Sequence, residues 1–237
     1  MTFDRRDFLR VGGVSIAGAL FGACDSHGPE KAGRLLAYAA RKNEGIERWL
    51  FRHNSMDHAR AGAIPSGDRF PSYFVSDSVP KWDVRARGAW RLEVGGMVRK
   101  PLTLSLEDLM SVEQKTQRVN HYCVEGWTAV AEFSGVALAA LARLVEVDPA
   151  AKAVDFQSFD SDYHESWDIE SALHPQTLVA FAKDGTALTP AYGAPARIHS
   201  PVKLGYKNTK YLTKILFMPK ENGGYWSDRG YEWYGGL

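Results

Sequence analysis

Apolar residues recur at helical spacing near the amino terminus, as Leu35, Leu36 and Ala39 and then Ile46, Trp49 and Leu50; the pattern predicts two short helices broken near Asn43 to Gly45. Residues 53–89 hold scattered Pro, Gly and Ser without a sustained period, which predicts long loops with one short strand at Tyr73-Phe74-Val75. From Trp90 the alternation sharpens. WRLEVGGMV reads as a strand turning at Gly95-Gly96, and PLTLSLEDLM as a strand and a helix opened by Ser105. QRVNHYC is a strand, and FSGVALAALARLVEV is a helix with Val136, Leu138, Leu141, Leu144 and Val145 on one face. AVDFQSF follows as a strand. Residues 162–182 begin a helix, turn at His174-Pro175 and continue as an apolar strand into a hairpin turn at Asp184-Gly185. Short strands outnumber helices and do not alternate regularly with them, so the fold class is mixed α+β.

A strand ending at NHYC puts Val119, His121 and Cys123 on one face, with Asn120 and Tyr122 on the other. The chain has 2 cysteines, Cys24 and Cys123. A thiol held at the mouth of a strand suits a soft metal ligand or a nucleophile; a buried structural thiol is the third reading, and the residues alone leave the three open. A zinc site lacks a second Cys at ligand spacing, and a Cys/His hydrolase needs a distant base that any of the 7 histidines would provide. Further along, Arg197, Lys203, Lys207 and Lys210 gather around Gly205 with Ser200, Asn208 and Thr209. Cations and backbone amides at a glycine suit a phosphate or diphosphate, unless the segment is a solvated basic loop.

Composition narrows the classes. The 237 residues are 45% hydrophobic and 24% charged, and the 7 Trp, 10 Tyr and 11 Phe imply clefts with aromatic walls whose polar atoms need partners. The opening MTFDRRDFLR, followed by VGGVSIAGALFGAC, reads as a twin-arginine export signal over residues 1–23, with Arg5 and Arg6 as its recognition pair. Such a route carries folded proteins and hints at a cofactor acquired before export. Cys24 closes a lipoprotein-like box, so the product is either anchored through a lipidated Cys24 or cleaved to a soluble form. Losing residues 1–23 removes three of the 29 basic and two of the 28 acidic residues, leaving 26 of each, so no basic excess points to nucleic acid. Residues 24–52 then form a leader with the amino-terminal helices, and 53–237 the main domain.

Six segments in order, CVEGW (123–127), FSGVAL (133–138), HPQTL (174–178), GAPARI (193–198), LGYKNTKYL (204–212) and GYWSDRGYEWY (224–234), resemble the sulfite oxidase-like molybdopterin oxidoreductases. The bacterial exported branch of that family includes the periplasmic methionine sulfoxide reductase catalytic subunit. The resemblance implies a sulfite oxidase-type α+β fold binding molybdenum-molybdopterin, with Cys123 as metal ligand and catalytic residue. It also implies cofactor contacts from Tyr73, Phe74, Ser158, Arg197, Gly205, Tyr206, Lys207 and Lys210. His121, Glu125, Trp127 and Arg229 are candidates for the pocket, as are Trp226, Tyr231 and Trp233 in the tail. The implied reaction is oxygen-atom transfer with a small-molecule oxo donor or acceptor. Electrons pass through a separate partner, a membrane haem protein among the candidates, because the chain carries no haem-attachment motif. The chain stops where sulfite oxidases continue into a dimerisation domain, which implies a monomer and a substrate other than sulfite. The competing class is a non-catalytic module that holds the cofactor for electron transfer or interaction.

Overall fold

A computed structural model describes residues 30–50, 60–64, 70–160 and 162–237. The expected export segment, residues 1–23, and Cys24 lie outside the described residues. Contacts divide the chain after Leu50. Helix α1 (Glu30–Leu50) runs unbroken through Asn43 to Gly45, where two helices were expected. A lone glycine costs a helix only about 1 kcal/mol, and an i,i+4 pair from Glu44 to Arg48 at 3.8 Å begins inside the expected break. Among the described residues no helix is long and apolar enough to cross a membrane.

After Leu50 the fold is two five-stranded sheets with short helices between strands, the mixed α+β class that the irregular order of elements predicts. The first sheet comprises β1 (Leu92–Gly96), β2 (Leu102–Leu104), β5 (Ala153–Ser158), β6 (His164–Asp168) and β10 (Leu212–Met218), in the order β2-β1-β10-β5-β6. Only β1 and β10 run parallel; the other pairs are antiparallel. The second sheet comprises β3 (Gln114–Tyr122), β4 (Thr128–Ala137), β7 (Leu178–Lys183) and β8 (Thr186–Ala187), with β9 (Arg197–His199) also pairing with β7. The helices are α2 (Val84–Arg87), α3 (Leu106–Ser111), α4 (Leu138–Val145) and α5 (Ile169–Ala172).

Several local signals act as the sequence predicts. Ser105 caps α3: its hydroxyl accepts from the Asp108 amide at 3.0 Å while the Asp108 carboxylate accepts from the Ser105 amide at 2.8 Å. Asp184 and Gly185, at φ 51° and 79°, turn β7 into β8. Three further expectations fail. Residues 133–137 are strand, because β3 pairs with β4 on one edge and β7 on the other, so the helix begins only at Leu138 and Leu144 is exposed. Residues 164–168 form β6, paired with β5, and the helix starts after Asp168, whose carboxylate caps it from the Ser171 amide. Tyr73 to Val75 is not a strand, since the Val75 amide donates to the Asp160 carboxylate at 3.0 Å.

The main core joins both sheets and α4: Leu92, Val94, Phe156, Ile215 and Phe217 from the first sheet, Val179 and Ile198 from the second, and Leu138, Leu141 and Val145 from the helix. Each such side chain stabilises the fold by about 1.5–3 kcal/mol. The opposite face of β4 and β7 buries Ala131, Phe133, Leu178 and Ala180 beneath Phe70. Buried indoles find carbonyl partners, Trp90 with Leu212 at 3.0 Å and Trp167 with Lys207 at 2.9 Å. This frame brings the carboxyl ends of β3 and β5 and the amino ends of β9 and β10 around one cavity.

Candidate active site

The cavity has a volume of about 430 Å³ and is walled mainly by aromatic rings. Cys123 is placed there by the β3–β4 hairpin. Tyr122 pairs with Thr128, leaving a loop in which the Cys123 amide donates to Trp127 O and the Cys123 carbonyl accepts from Gly126 N, both at 3.0 Å. Gly126 has φ 88°, a left-handed conformation that glycine adopts without strain. The thiol is half-buried, and among the described residues its hydrogen-bond partner is Glu125 Oε2 at 3.9 Å, a carboxylate that also accepts from Trp127 Nε1 at 3.1 Å. Burial, assisted by that carboxylate, raises the Cys123 pKa. No imidazole is bonded to the sulfur, and no group of three His, Cys, Asp or Glu that would hold a metal by themselves occurs among the described residues.

His121 lies one strand position pair before the thiol, as the alternation predicts, and lines the cavity. Burial, with Arg197 and Lys210 nearby, holds its pKa down to about 3, so the imidazole is neutral. Its Nδ1 has no partner among the described residues. Gly205 sits against it: a Cβ there would fall 2.7 Å from His121 Nε2, so only glycine fits. Tyr206 follows in the same short 3₁₀ turn, its carbonyl accepting from Tyr163 at 2.5 Å. Ser158, at the end of β5, accepts from the Asp160 amide at 2.9 Å. On the outer side Tyr73 stacks on Trp127 with centroids 6.1 Å apart, and Phe74 lies 5.9 Å from the Lys210 ammonium.

The four cations expected to form a phosphate cradle separate into two pairs. Arg197 and Lys210 line the cavity. Arg197 is buried and donates only to carbonyls, those of Ile198, Tyr192 and Asn208 at 3.2–3.3 Å; burial lowers its pKa to about 10. Lys210 donates to Ala191 O at 3.2 Å, and burial, with Arg197 adding repulsion, lowers its pKa to about 7. Neither is salt-bridged to a carboxylate among the described residues. Lys207, by contrast, lies off the cavity wall, its ammonium 2.6 Å from Glu165, and Lys203 is 2.7 Å from Asp168. Both lysines are fully buried, so a solvated basic loop is excluded for this half of the segment. Arg229 also lies off the wall; it is exposed and packs 3.6 Å from the Tyr225 ring centroid. Trp226 and Tyr231 line the cavity, whereas Trp233 turns away to Ser166 at 2.8 Å.

Asp160, Tyr163 and Tyr211 line the cavity although none is among the expected site residues; Tyr211 lies inside the 204–212 segment of the resemblance. Asp160 is buried just beyond Ser158; Tyr163 faces Tyr206; and Tyr211, at φ 59° and 1% exposed, keeps its hydroxyl without a partner among the described residues. A non-glycine residue in the left-handed region signals a local constraint that composition does not reveal.

Residues 77–226 match the oxidoreductase molybdopterin-binding domain family. The chain belongs to this family. It is similar to the putative protein-methionine-sulfoxide reductase subunit YedZ1 of Azospira oryzae, with 37% identity over 98% of this chain and 87% of that protein. It is similar also to the protein-methionine-sulfoxide reductase catalytic subunit MsrP of Ralstonia nicotianae, with 33% identity over 58% of this chain and 46% of that protein. Among solved structures the sulfane dehydrogenase SoxCD of Paracoccus pantotrophus shares the fold, with a TM-score of 0.53 and 24% identity over 56% of this chain and 39% of that chain. The protein is therefore a molybdopterin-dependent oxidoreductase of sulfite oxidase-type fold, and its cofactor is molybdenum-molybdopterin. The cavity suits that group: a soft sulfur at one wall, two cations that form no salt bridge among the described residues, the Tyr211 hydroxyl without a partner among the described residues, and a glycine at the wall against His121.

Proposed function

We propose that the protein is an exported oxidoreductase that transfers an oxygen atom between its metal centre and a small oxo compound, with a sulfoxide as the first candidate and a separate redox partner carrying the electrons. In the reductive direction the balance is sulfoxide plus two electrons and two protons to thioether plus water. The observation that carries the reading is the meeting, in one cavity of a molybdopterin-family chain, of the Cys123 thiol with the buried cations Arg197 and Lys210.

When bound, the cofactor supplies two-electron redox chemistry at molybdenum. The chain's residues do the rest. Cys123, fixed by its two backbone hydrogen bonds, holds the metal, and Arg197 and Lys210 bind the phosphate end of the pterin. Tyr211 and Ser158 offer hydroxyls to the ring system. Trp127, with Tyr73 stacked on it, walls the thiol side of the cavity with aromatic rings, favouring a neutral sulfur compound over a strongly hydrated anion. Glu125 is the carboxylate nearest the thiol, and its bond to Trp127 Nε1 orients that wall. Likeness to relatives named as methionine-sulfoxide reductases supports the sulfoxide, and the twin-arginine-like start supports export, with or without an anchor at Cys24.

The test is protein made in a molybdopterin-competent host, assayed for metal, pterin and reduction of sulfoxides, N-oxides and sulfite-type oxo compounds with artificial electron carriers. Stoichiometric molybdenum with sulfoxide turnover is expected, and both are expected to collapse in Cys123→Ser while the fold persists. Metal-loaded protein inert to every oxo compound would leave the non-catalytic module as the better reading.

A further inference from the structure

One wall of the cavity is not part of either sheet. Residues 70–78 cross it without regular secondary structure, and Pro71, Tyr73, Phe74 and Val75 all line the cavity. Such a segment stays in place only if its backbone polar groups find partners. At one end Phe70 is wedged among His121, Trp127, Phe133 and Tyr192, with its carbonyl accepting from Tyr192 Oη at 3.0 Å.

At the other end a buried carboxylate takes the bonds. Asp160 Oδ2 accepts from the Val75 amide at 3.0 Å, and Oδ1 accepts from the Ser76 amide at 3.2 Å and from the Ser76 hydroxyl. Both carboxylate oxygens are thus spent on two consecutive residues more than eighty positions away in sequence. Asp160 is itself held: it is 3% exposed, its amide donates to Ser158 Oγ at 2.9 Å and its carbonyl accepts from Tyr163 N at 2.8 Å. A charged acceptor makes each bond stronger than its neutral counterpart, and burial limits competition from water.

We propose that Asp160 is a positioning residue whose carboxylate clasps Val75 and Ser76, holds Tyr73 and Phe74 across the cavity, and so sets how long the cofactor stays bound. The proposal rests on reading this cavity as the cofactor site. It assigns Asp160 no contact with substrate and no proton transfer. Asparagine at this position keeps one acceptor oxygen but turns an NH2 group toward a donor, so one side of the clasp is lost with little change in size.

The experiment is amide hydrogen exchange on cofactor-free protein, followed by release of molybdopterin from loaded protein, for the wild type, Asp160→Asn and Ser76→Ala. Protection at Val75 and Ser76 is expected to fall by about tenfold or more in Asp160→Asn, with the amides of Val154 and Ile215 in the core sheet unchanged. Release of the pterin is expected to accelerate in the same variant, and Ser76→Ala to give a smaller change of the same sign. Unchanged protection at residues 75 and 76, or an equal loss there and in the core sheet, overturns the proposal, as does localised loss with unaltered release. Should Asp160→Asn fail to fold, Ser76→Ala decides: a local loss of protection with faster release supports the clasp, and wild-type behaviour in either overturns it. The exchange measurement needs no cofactor, so the clasp and the molybdenum reading fail separately.

Discussion

Lys203 and Lys207 differ from Arg197 and Lys210 in one respect that governs their use, although all four lie within one short stretch of chain. The first two form ion pairs with carboxylates, Asp168 at 2.7 Å and Glu165 at 2.6 Å; the second two line the cavity and form no salt bridge among the described residues, Asp160 acting on Lys210 only as a neighbouring charge. The paired lysines tie the Gly205 turn and the tail to β6. Glu165 also accepts from Trp226 N at 2.9 Å and Ser227 Oγ at 3.1 Å, while Lys203 donates to Tyr234 O at 2.5 Å. Burial lowers the pKa of both, and Arg197 adds repulsion at Lys210, a cost that an anionic ligand relieves. A basic segment thus splits into scaffold and site according to where its counter-charges come from.

Breaking the scaffold half carries the largest effect. Lys207→Met leaves the Glu165 carboxylate buried without its cation, and about 3–5 kcal/mol of stability is expected to disappear in denaturant unfolding of the cofactor-free protein. Glu165→Gln strands Lys207 in the same way. The double substitution Lys207→Met with Glu165→Leu is expected to recover much of the loss, because no lone charge remains. An equally small loss in all three would erase the distinction between the two halves.

The site half is expected to show the opposite profile. Lys210→Met removes a buried charge that no salt bridge holds, so cofactor-free stability holds or rises, whereas retained molybdopterin falls by about tenfold or more; Arg197→Met is expected to lose the cofactor likewise, but gives up its bonds to the Ile198, Tyr192 and Asn208 carbonyls and so loses stability as well. The same comparison has a pH signature. With its pKa lowered to about 7 by burial, Lys210 binds fewer protons folded than unfolded up to its usual 10.5, so its share of stability rises with pH across that window. Its attraction for a phosphate runs the other way, weakening as pH rises through about 7. The difference between wild type and Lys210→Met, measured for unfolding and for pterin retention against pH, is expected to show both slopes with opposite signs.

The sequence shows the split only in part, and the reason is distance along the chain. The Ser105 cap, the Asp184-Gly185 turn and the strand carrying His121 up to Cys123 are legible because their partners lie within a few residues. The cavity likewise gathers Tyr73, Ser158, Arg197, Gly205 and Lys210, which the motif resemblance names. Lys207 finds Glu165 across 42 residues and Asp160 finds Ser76 across 84; no local period encodes either. Residues 133–137 have helical spacing, yet two flanking strands claim them. Tertiary pairing overrides local preference where both edges of a segment are occupied.

The smallest effect concerns a pair between the two extremes. His164 Nδ1 lies 2.8 Å from Asp155 Oδ1 on neighbouring strands of the scaffold sheet; the carboxylate is buried, but the imidazole is about a quarter exposed. The bond to Asp155 raises the His164 pKa against the opposing effect of burial. A histidine raised in the folded state contributes stability fully below its unfolded pKa of about 6.5 and loses it as pH rises through the folded value. The stability gap between wild type and His164→Asn is therefore expected to be widest in mild acid and to close above neutrality, with pterin retention unchanged because His164 lies off the cavity wall. Solvent screening keeps this gap well below that of the Lys207–Glu165 pair. A His164→Asn loss as large as that of Lys207→Met would mean that burial of both partners is not what ranks these ion pairs.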